Sequence, residues 1–338
     1  MKRAGNLYES IADPDNLRLA FIKAKRGKEA NPEVLQYSRE VEKRLVDLRE
    51  SLLAEEIKPG KYHFFTIYEP KERLICAAPF GDRVLHHAII NVCHPVFERF
   101  QISDSYATRI GKGQNAALRR ARLFQNTYPW FCKLDIRKYF DSISHSLLNQ
   151  LLSKRFKDHR LLSLFSKIID SYQVTQGNGL PIGNLTSQYF ANFFLAHADH
   201  YIKEELRVPA YVRYMDDMVF WGRDKEVLII LKNALISFLG NKLDLSVKPE
   251  CMNRCGNGLP FLGYVLFEKM VRLNKHSKQR FFNKMNLYQK RLIEGKWHQK
   301  EFADHVLPLV AFTSYANAHE LRCKHLHRME TGQWAPTA

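Results

Sequence analysis

Cysteine is scarce, with six residues scattered through 338. That distribution excludes a disulfide-stapled secreted scaffold and suits free thiols in a reducing cytosol. Cys251 and Cys255 sit close together, but no second Cys or His pair at metal spacing accompanies them, so no zinc site is expected. Long apolar runs are also missing. No stretch approaches the roughly 20 residues that cross a bilayer, and the opening Met-Lys-Arg-Ala-Gly-Asn lacks the apolar core of a secretory signal. A cytoplasmic location with no membrane partner is the expectation. The chain has no internal repeat and no low-complexity linker, and it is short of acidic residues: 35 Asp and Glu stand against 52 Lys and Arg.

The residues present describe a globular protein. A hydrophobic fraction of 45% supplies a core, and the length suits two or three packed subdomains. The net charge of +17 creates self-repulsion that a polyanionic partner would relieve, although a merely soluble basic surface gives the same count.

Residues 1–60 read as helical, with Asn31 and Pro32 as cap and first turn, and with Pro59-Gly60 as the stop. Two β-prone runs follow, Tyr62–Tyr68 and Leu74–Ala78, and then a helix over 82–99. Trp130–Asp135 is a short strand ending in a carboxylate, and a Ser-started helix carrying Leu147, Leu148, Leu151 and Leu152 comes after it. The glycine-bounded loop 177–183 leads into a long helix with Phe190, Phe194 and Ala198 on one face. Tyr211–Tyr214 and Met218–Trp221 read as strands joined at Met215-Asp216-Asp217. A helix over about 224–240, a strand pair ending at Phe261–Phe267 and a basic helical region from 275 complete the pattern. The fold class is α+β, with helices packed against one mostly antiparallel sheet.

Asp216 and Asp217 sit side by side at a turn between apolar strands. Adjacent carboxylates repel and gain nothing from being dry, and hard divalent cations such as Mg²⁺ remove the penalty. Most Asp-Asp pairs are solvated turns, so the pair alone leaves both readings open. Asp135, at the end of its own strand, is by itself a helix cap as readily as a ligand. Two ions, however, need bridging carboxylates from separate chain segments, and Asp135 with Asp216 supplies them. Asp141 is expected to cap the next helix.

In order along the chain, Lys133-Leu134-Asp135-Ile136-Arg137-Lys138-Tyr139-Phe140-Asp141, Leu180-Pro181-Ile182-Gly183 and Tyr214-Met215-Asp216-Asp217 resemble successive reverse-transcriptase motifs. Lys71, Arg73 and Gly81-Asp82-Arg83 look like the fingers motif, and Phe261-Leu262-Gly263-Tyr264 resembles the primer grip. The resemblance implies a right-hand polymerase: an N-terminal helical extension over 1–60, fingers and palm over 61–274, and a helical basic thumb over 275–338. Nearly the whole chain resembles the bacterial enzymes of diversity-generating retroelements, through Asn6-Leu7-Tyr8-Glu9, Arg83–Ala88, Asp104–Ala107, Gly183–Gln188 and Ser314–Ala318. It departs from them after Leu245, where Ser246-Val247-Lys248-Pro249-Glu250 replaces a basic, Thr-ending stretch. Retron-like and phage-defence enzymes share much of the pattern and form the second reading. A catalytically idle RNA-binding module is the third, and intact Asp135, Asp216 and Asp217 argue against it.

Carried over residue by residue, the resemblance implies metal positions at Asp135, Ile136, Asp216 and Asp217, for two Mg²⁺ ions that Mn²⁺ can replace. It implies nucleotide contacts at Lys71, Arg73, Phe140, Ile182, Gly183 and Gln188. Phe140 falls beneath the sugar, where its ring excludes a 2′-hydroxyl, and Ile182 falls where retroviral enzymes place a Gln. Arg109, Lys112 and Arg119 are candidate template contacts, although a charge run is more often a solvated face. The implied partners are an RNA template, a DNA or RNA primer, dNTPs, a structured non-coding RNA and a small basic accessory protein. No maturase or endonuclease segment is visible, which weakens an intron-mobility role. If the +17 charge serves RNA, anisotropy titrations across a KCl series should show affinity falling with a log–log slope of about −0.7 per neutralised single-strand phosphate. A salt-insensitive affinity would reject the electrostatic reading.

Overall fold

The structure is a computed structural model that describes residues 2–68 and 72–330, with side chains described through residue 327. Four helices open the chain: α1 (Tyr8–Ile11), α2 (Pro14–Lys25), α3 (Pro32–Arg39) and α4 (Val41–Leu53). Asp13 and Asn31 accept N–H groups of the following turn, each with a proline just inside the helix, as their cap chemistry requires. The helical stretch ends at Leu53, short of the Pro59-Gly60 stop read from sequence, because Glu55 enters the left-handed region at φ 60°. The amino-terminal arm is strapped to a distant segment. Ala4 N–H donates to Arg155 O and Lys157 N–H to Ala4 O, while one oxygen of Asp158 accepts the N–H groups of both Leu7 and Tyr8. The Tyr8 hydroxyl donates to Leu52 O at 2.8 Å.

Next come the hairpin β1 (His63–Ile67) and β2 (Arg73–Ala77), then α5 (Phe80–Phe100), α6 (Gln114–Thr127) and β3 (Trp130–Asp135). The short α7 (Tyr139–Ser142) precedes α8 (His145–Ser153), α9 (His159–Asp170) and α10 (Leu185–His200), which runs on into a π-helical turn at Tyr201–Glu205. Ser144 caps α8 through its hydroxyl; Asp141, expected in that role, lies inside α7 instead. β4 (Tyr211–Tyr214), β5 (Asp217–Gly222), α11 (Lys225–Leu243) and β6 (Cys251–Arg254) follow. The strands β7 (Leu259–Phe261), β8 (Tyr264–Leu266) and β9 (Val271–Leu273) lead to α12 (Lys275–Ile293), α13 (Gln299–Ser314) and α14 (His319–Glu330). Among the described residues no helix is long and apolar enough to cross a membrane.

Among the described residues the strands form three antiparallel sheets, where one was expected. These are the β1–β2 hairpin, a central sheet in the order β4-β5-β3-β6, and a small sheet β7-β8-β9. Both faces of the central sheet are covered. Cys132, Leu134, Met218 and Phe220 face a large core with α5, α8, α9 and α10, while Phe131, Val219 and Trp221 face a second core with α6 and β7–β9. Period-two alternation places Lys133, Asp135 and Asp217 on that second face, at the end of the sheet where the apolar cover stops.

α10 is buried on nearly all sides rather than on one face, and its Asn192 and Asp199 are paired internally. Arg213 on β4 and Asp199 on α10 are both fully buried and joined by Nε and Nη2 contacts of 2.6–2.8 Å. Tyr211 donates its hydroxyl to Asp199 at 2.7 Å. Burial opposes the Arg213 charge, but the Asp199 carboxylate outweighs it and leaves the guanidinium above its ordinary pKa. Removing one partner strands the other charge, so Asp199→Ala should cost about 3–5 kcal/mol. The measurement is the urea midpoint at unchanged denaturant slope. A loss below about 1 kcal/mol would fit a solvent-screened pair instead.

Candidate active site

Tyr214 pairs with Asp217, which closes a two-residue turn of Met215 and Asp216. Met215 sits at φ 55°, a left-handed conformation that a methionine adopts only when its surroundings impose it. Arg213 imposes it: its Nη1 donates to Met215 O at 3.0 Å and to Asn192 Oδ1 at 2.7 Å, and its Nη2 reaches Ser105 Oγ at 3.0 Å. Sequence reading passed over Arg213, because an arginine between β-prone residues reads as a strand's solvent side.

Asp135 on β3 is directly opposite Asp217 on β5. Like charges in register destabilise a ladder, and the strain is visible at Asp216. Its carboxyl is pushed up to about 6 by burial first and by Asp217 and Asp135 next. Two lysines offset the remaining charge. Lys133 Nζ lies 2.8 Å from Asp217 Oδ1, and Lys248 Nζ lies 2.7 Å from Asp135 Oδ1. Lys248 also donates its backbone N–H to Asp135 O. It belongs to the stretch after Leu245 that departed from the motif pattern, and only the Ile136–Val247 bridge reveals where it points. That bridge uses Asp135 O and Arg137 N–H, so the carbonyl of Ile136 turns to the opposite side, toward β5.

A run of backbone hydrogen bonds ties three expected nucleotide contacts together. Cys76 N–H on β2 donates to Ile182 O, and Leu180 N–H donates to Phe140 O, both at 2.8 Å. β2, which carries the exposed Arg73, is thereby joined to the Ile182-Gly183 loop, and that loop to Phe140. Gly183 is required here: its φ is 119°, and a Cβ would meet Ile75 Cγ2 at 3.0 Å. Phe140 is half-buried, edge-on to Tyr139, and Ile182 and Gln188 are also half-buried. Lys71 lies outside the described residues.

Phe261 and Tyr264 pair across a second two-residue turn, with Leu262 at φ 49° and Gly263 at φ 91°. Gln114 Nε2 donates to Leu262 O at 2.9 Å, and the Tyr264 hydroxyl donates to Phe312 O at 2.7 Å. The same hairpin approaches the acidic site, since Lys133 Nζ lies 3.3 Å from Pro260 O. Of the template candidates, Arg109 is a correction. Its side chain is 7% exposed and holds Glu98, Ile102 O and Ser105 O, which makes it a clamp of the 98–109 segment. Lys112 donates to Ser103 O and lies over Tyr106, and Arg119 is exposed.

Residues 58–266, more than half of the chain, match the family model described as reverse transcriptase (RNA-dependent DNA polymerase). The chain belongs to the reverse transcriptases, the RNA-dependent DNA polymerases. Protein YkfC of Escherichia coli K12 is 24% identical over 273 residues, covering 65% of this chain and 72% of that protein. The group II intron-encoded protein LtrA of Lactococcus lactis is 24% identical over 139 residues, covering 39% of this chain and 23% of that protein. Apo telomerase from Candida tropicalis superposes with a TM-score of 0.52 at 13% identity, over 80% of this chain and 62% of that one. The shared fold is the right-hand polymerase, with antiparallel sheets. The chain thus spans most of the E. coli protein, under a quarter of the intron protein and under two thirds of the telomerase.

Reverse transcriptases use divalent metal ions, and the donor set here fits one: two carboxylates on adjoining strands, a third on the turn beside them and a nearby backbone carbonyl are all hard oxygens. Among the described residues no three acidic, histidine or cysteine side chains already converge as a closed cage. An open set of carboxylates completed by substrate phosphates is what Mg²⁺ sites generally use. The raised pKa of Asp216 has a stability consequence. The folded reverse transcriptase holds that proton more tightly than the unfolded chain, so stability falls as pH rises from 3.8 through about 6 and stays lowered above it. Asp216→Asn should therefore raise the melting temperature of EDTA-treated protein at about pH 8 and leave it unchanged near pH 4. Equal shifts at both pH values would assign the change to packing rather than charge.

Proposed function

We propose that this reverse transcriptase is an error-prone copier of a structured, template-repeat RNA, of the kind found in diversity-generating retroelements. The reaction is attack of a primer 3′-hydroxyl on the α-phosphate of a dNTP, with release of pyrophosphate. The observation that carries the chemistry is the opposition of Asp135 and Asp217, with Asp216 on the joining turn. Two Mg²⁺ ions, which Mn²⁺ can replace, would be held by these carboxylates and the Ile136 carbonyl, and when bound they supply Lewis acidity to the attacking hydroxyl and the triphosphate.

The chain's own groups set up the rest. Arg73, with Lys71, offers cations to the triphosphate. The Phe261–Tyr264 hairpin seats the primer end, and Phe140 rejects a 2′-hydroxyl by shape. The error rate rests on Ile182. Its carbonyl is held by Cys76, so its apolar side chain is presented from a fixed loop. A glutamine there can hydrogen-bond the nucleotide, whereas isoleucine offers dispersion and shape, which separate correct from incorrect pairs less sharply. The family resemblance directs these errors to template adenines, and it names a small basic accessory protein as partner.

The test copies a defined RNA and sequences the products. Wild type should misincorporate opposite adenines, and Ile182→Gln should lower that error about 2–10-fold. Asp216→Asn should slow extension on the order of a thousandfold or more, and Phe140→Ala should admit CTP beside dCTP. Accurate copying of adenines by the wild type, with its partner present, would reject diversification in favour of dedicated cDNA synthesis for phage defence. Undiminished extension by Asp216→Asn would reject the site itself.

A further inference from the structure

Two of the three acidic residues at the active site already carry a cation from this chain. Lys133 is two residues before Asp135 on the same strand face, and it reaches across to Asp217 at 2.8 Å rather than along its own strand. Lys248 reaches Asp135 at 2.7 Å from a segment fixed to β3 by two backbone bonds. Asp216 forms no ion pair among the described residues. Each lysine is placed where it can release its carboxylate without being stranded. Lys133 has a second acceptor 3.3 Å away in Pro260 O, and the Phe261 ring lies 6.0 Å beneath it. Lys248 has a side chain 41% exposed, which water solvates as the contact opens.

We infer that Lys133 and Lys248 are built-in counter-cations of the catalytic carboxylates: they hold Asp217 and Asp135 together against their repulsion, and an arriving divalent ion must displace or share them. The inference rests on the reading that these carboxylates bind divalent ions. Its physical content is a competition. A divalent ion at 2+ outbids a single ammonium for a carboxylate, but the ammonium lowers the gain on binding, so ion affinity is weaker than three bare carboxylates would give. Displacement of Lys133 toward Pro260 also couples ion arrival at Asp217 to the hairpin expected to seat the primer. A lysine that merely braces the fold would not change ion affinity.

The experiment measures Mn²⁺ binding by electron paramagnetic resonance and melting temperature in EDTA and in saturating Mn²⁺, on the full chain without substrate. Lys133→Met and Lys248→Met keep the aliphatic stem and remove the charge. Each should bind Mn²⁺ about two- to fivefold more tightly than wild type, the span of one partly exposed ion pair. Each should also melt below wild type in EDTA, with the gap closing in Mn²⁺. Lys133→Arg should keep wild-type values, and Lys133→Met added to Asp217→Asn should change Mn²⁺ affinity no further. Unchanged or weaker Mn²⁺ binding in both Met variants, or a melting gap that persists in Mn²⁺, overturns the inference while leaving the polymerase assignment intact. A wild type that binds no Mn²⁺ overturns the metal reading and this inference together. If Lys133→Met does not fold, the more exposed Lys248→Met and the charge-retaining Lys133→Arg carry the same comparison.

Discussion

Arg213 lies where three parts of the chain meet, and its guanidinium has a partner in each: Asp199 and Asn192 on α10, Ser105 in the loop after α5, and Met215 O on the acidic turn. The constraint it answers is electrostatic. Asp135 and Asp217 face each other across β3 and β5, and Asp216 would swing away from both if the turn from β4 into β5 were loose, with its left-handed methionine relaxing as well. A buried cation bonded to the carbonyl of that methionine fixes the turn from below, on the side away from the carboxylates. The pair it forms with Asp199 contributes little net stability by itself, since dehydrating two charges offsets most of their attraction. What it supplies is position.

On the open face the problem is solved differently. The protein as a whole is strongly basic, yet its active site concentrates negative charge at one end of one sheet. Lys133 and Lys248 balance that charge locally and remain partly exposed, while the surrounding walls are backbone: β2 to the Ile182 loop, that loop to Phe140. Backbone hydrogen bonds give the side proposed to meet the nucleotide a shape that does not depend on long side chains choosing rotamers.

Much of this was legible in the residues themselves. Trp130–Asp135 is a strand with the bounds read from sequence, and the junction read at Met215-Asp216-Asp217 is a turn, one residue shorter because Asp217 already pairs with Tyr214. Asn31-Pro32 opens a helix as its chemistry demands. What the residues did not report is which polar groups are buried. Asn192 and Asp199 on α10 were assigned no role and are buried against Arg213; Arg109, inside a basic run, was a candidate template contact, and its side chain is 7% exposed against Glu98. Lys248 could not be placed at all without the bridge between Ile136 and Val247, a contact between segments more than a hundred residues apart. Local pattern reports period and caps; it does not report which charges find partners across the fold.

The strap between the amino-terminal arm and Asp158 bears on the order in which the chain can fold during its synthesis. Leu7 and Tyr8 leave the ribosome well before the carboxylate that accepts their N–H groups, which comes about 150 residues later, a delay of about 8–30 s at ordinary elongation rates. The same oxygen pair caps α9 through Leu161 N–H, so the acceptor is not in position until that helix has begun to form. This strap therefore closes long after Leu7 and Tyr8 are made. Until then the nascent arm has only its partners made before Asp158, such as Leu52 O for the Tyr8 hydroxyl.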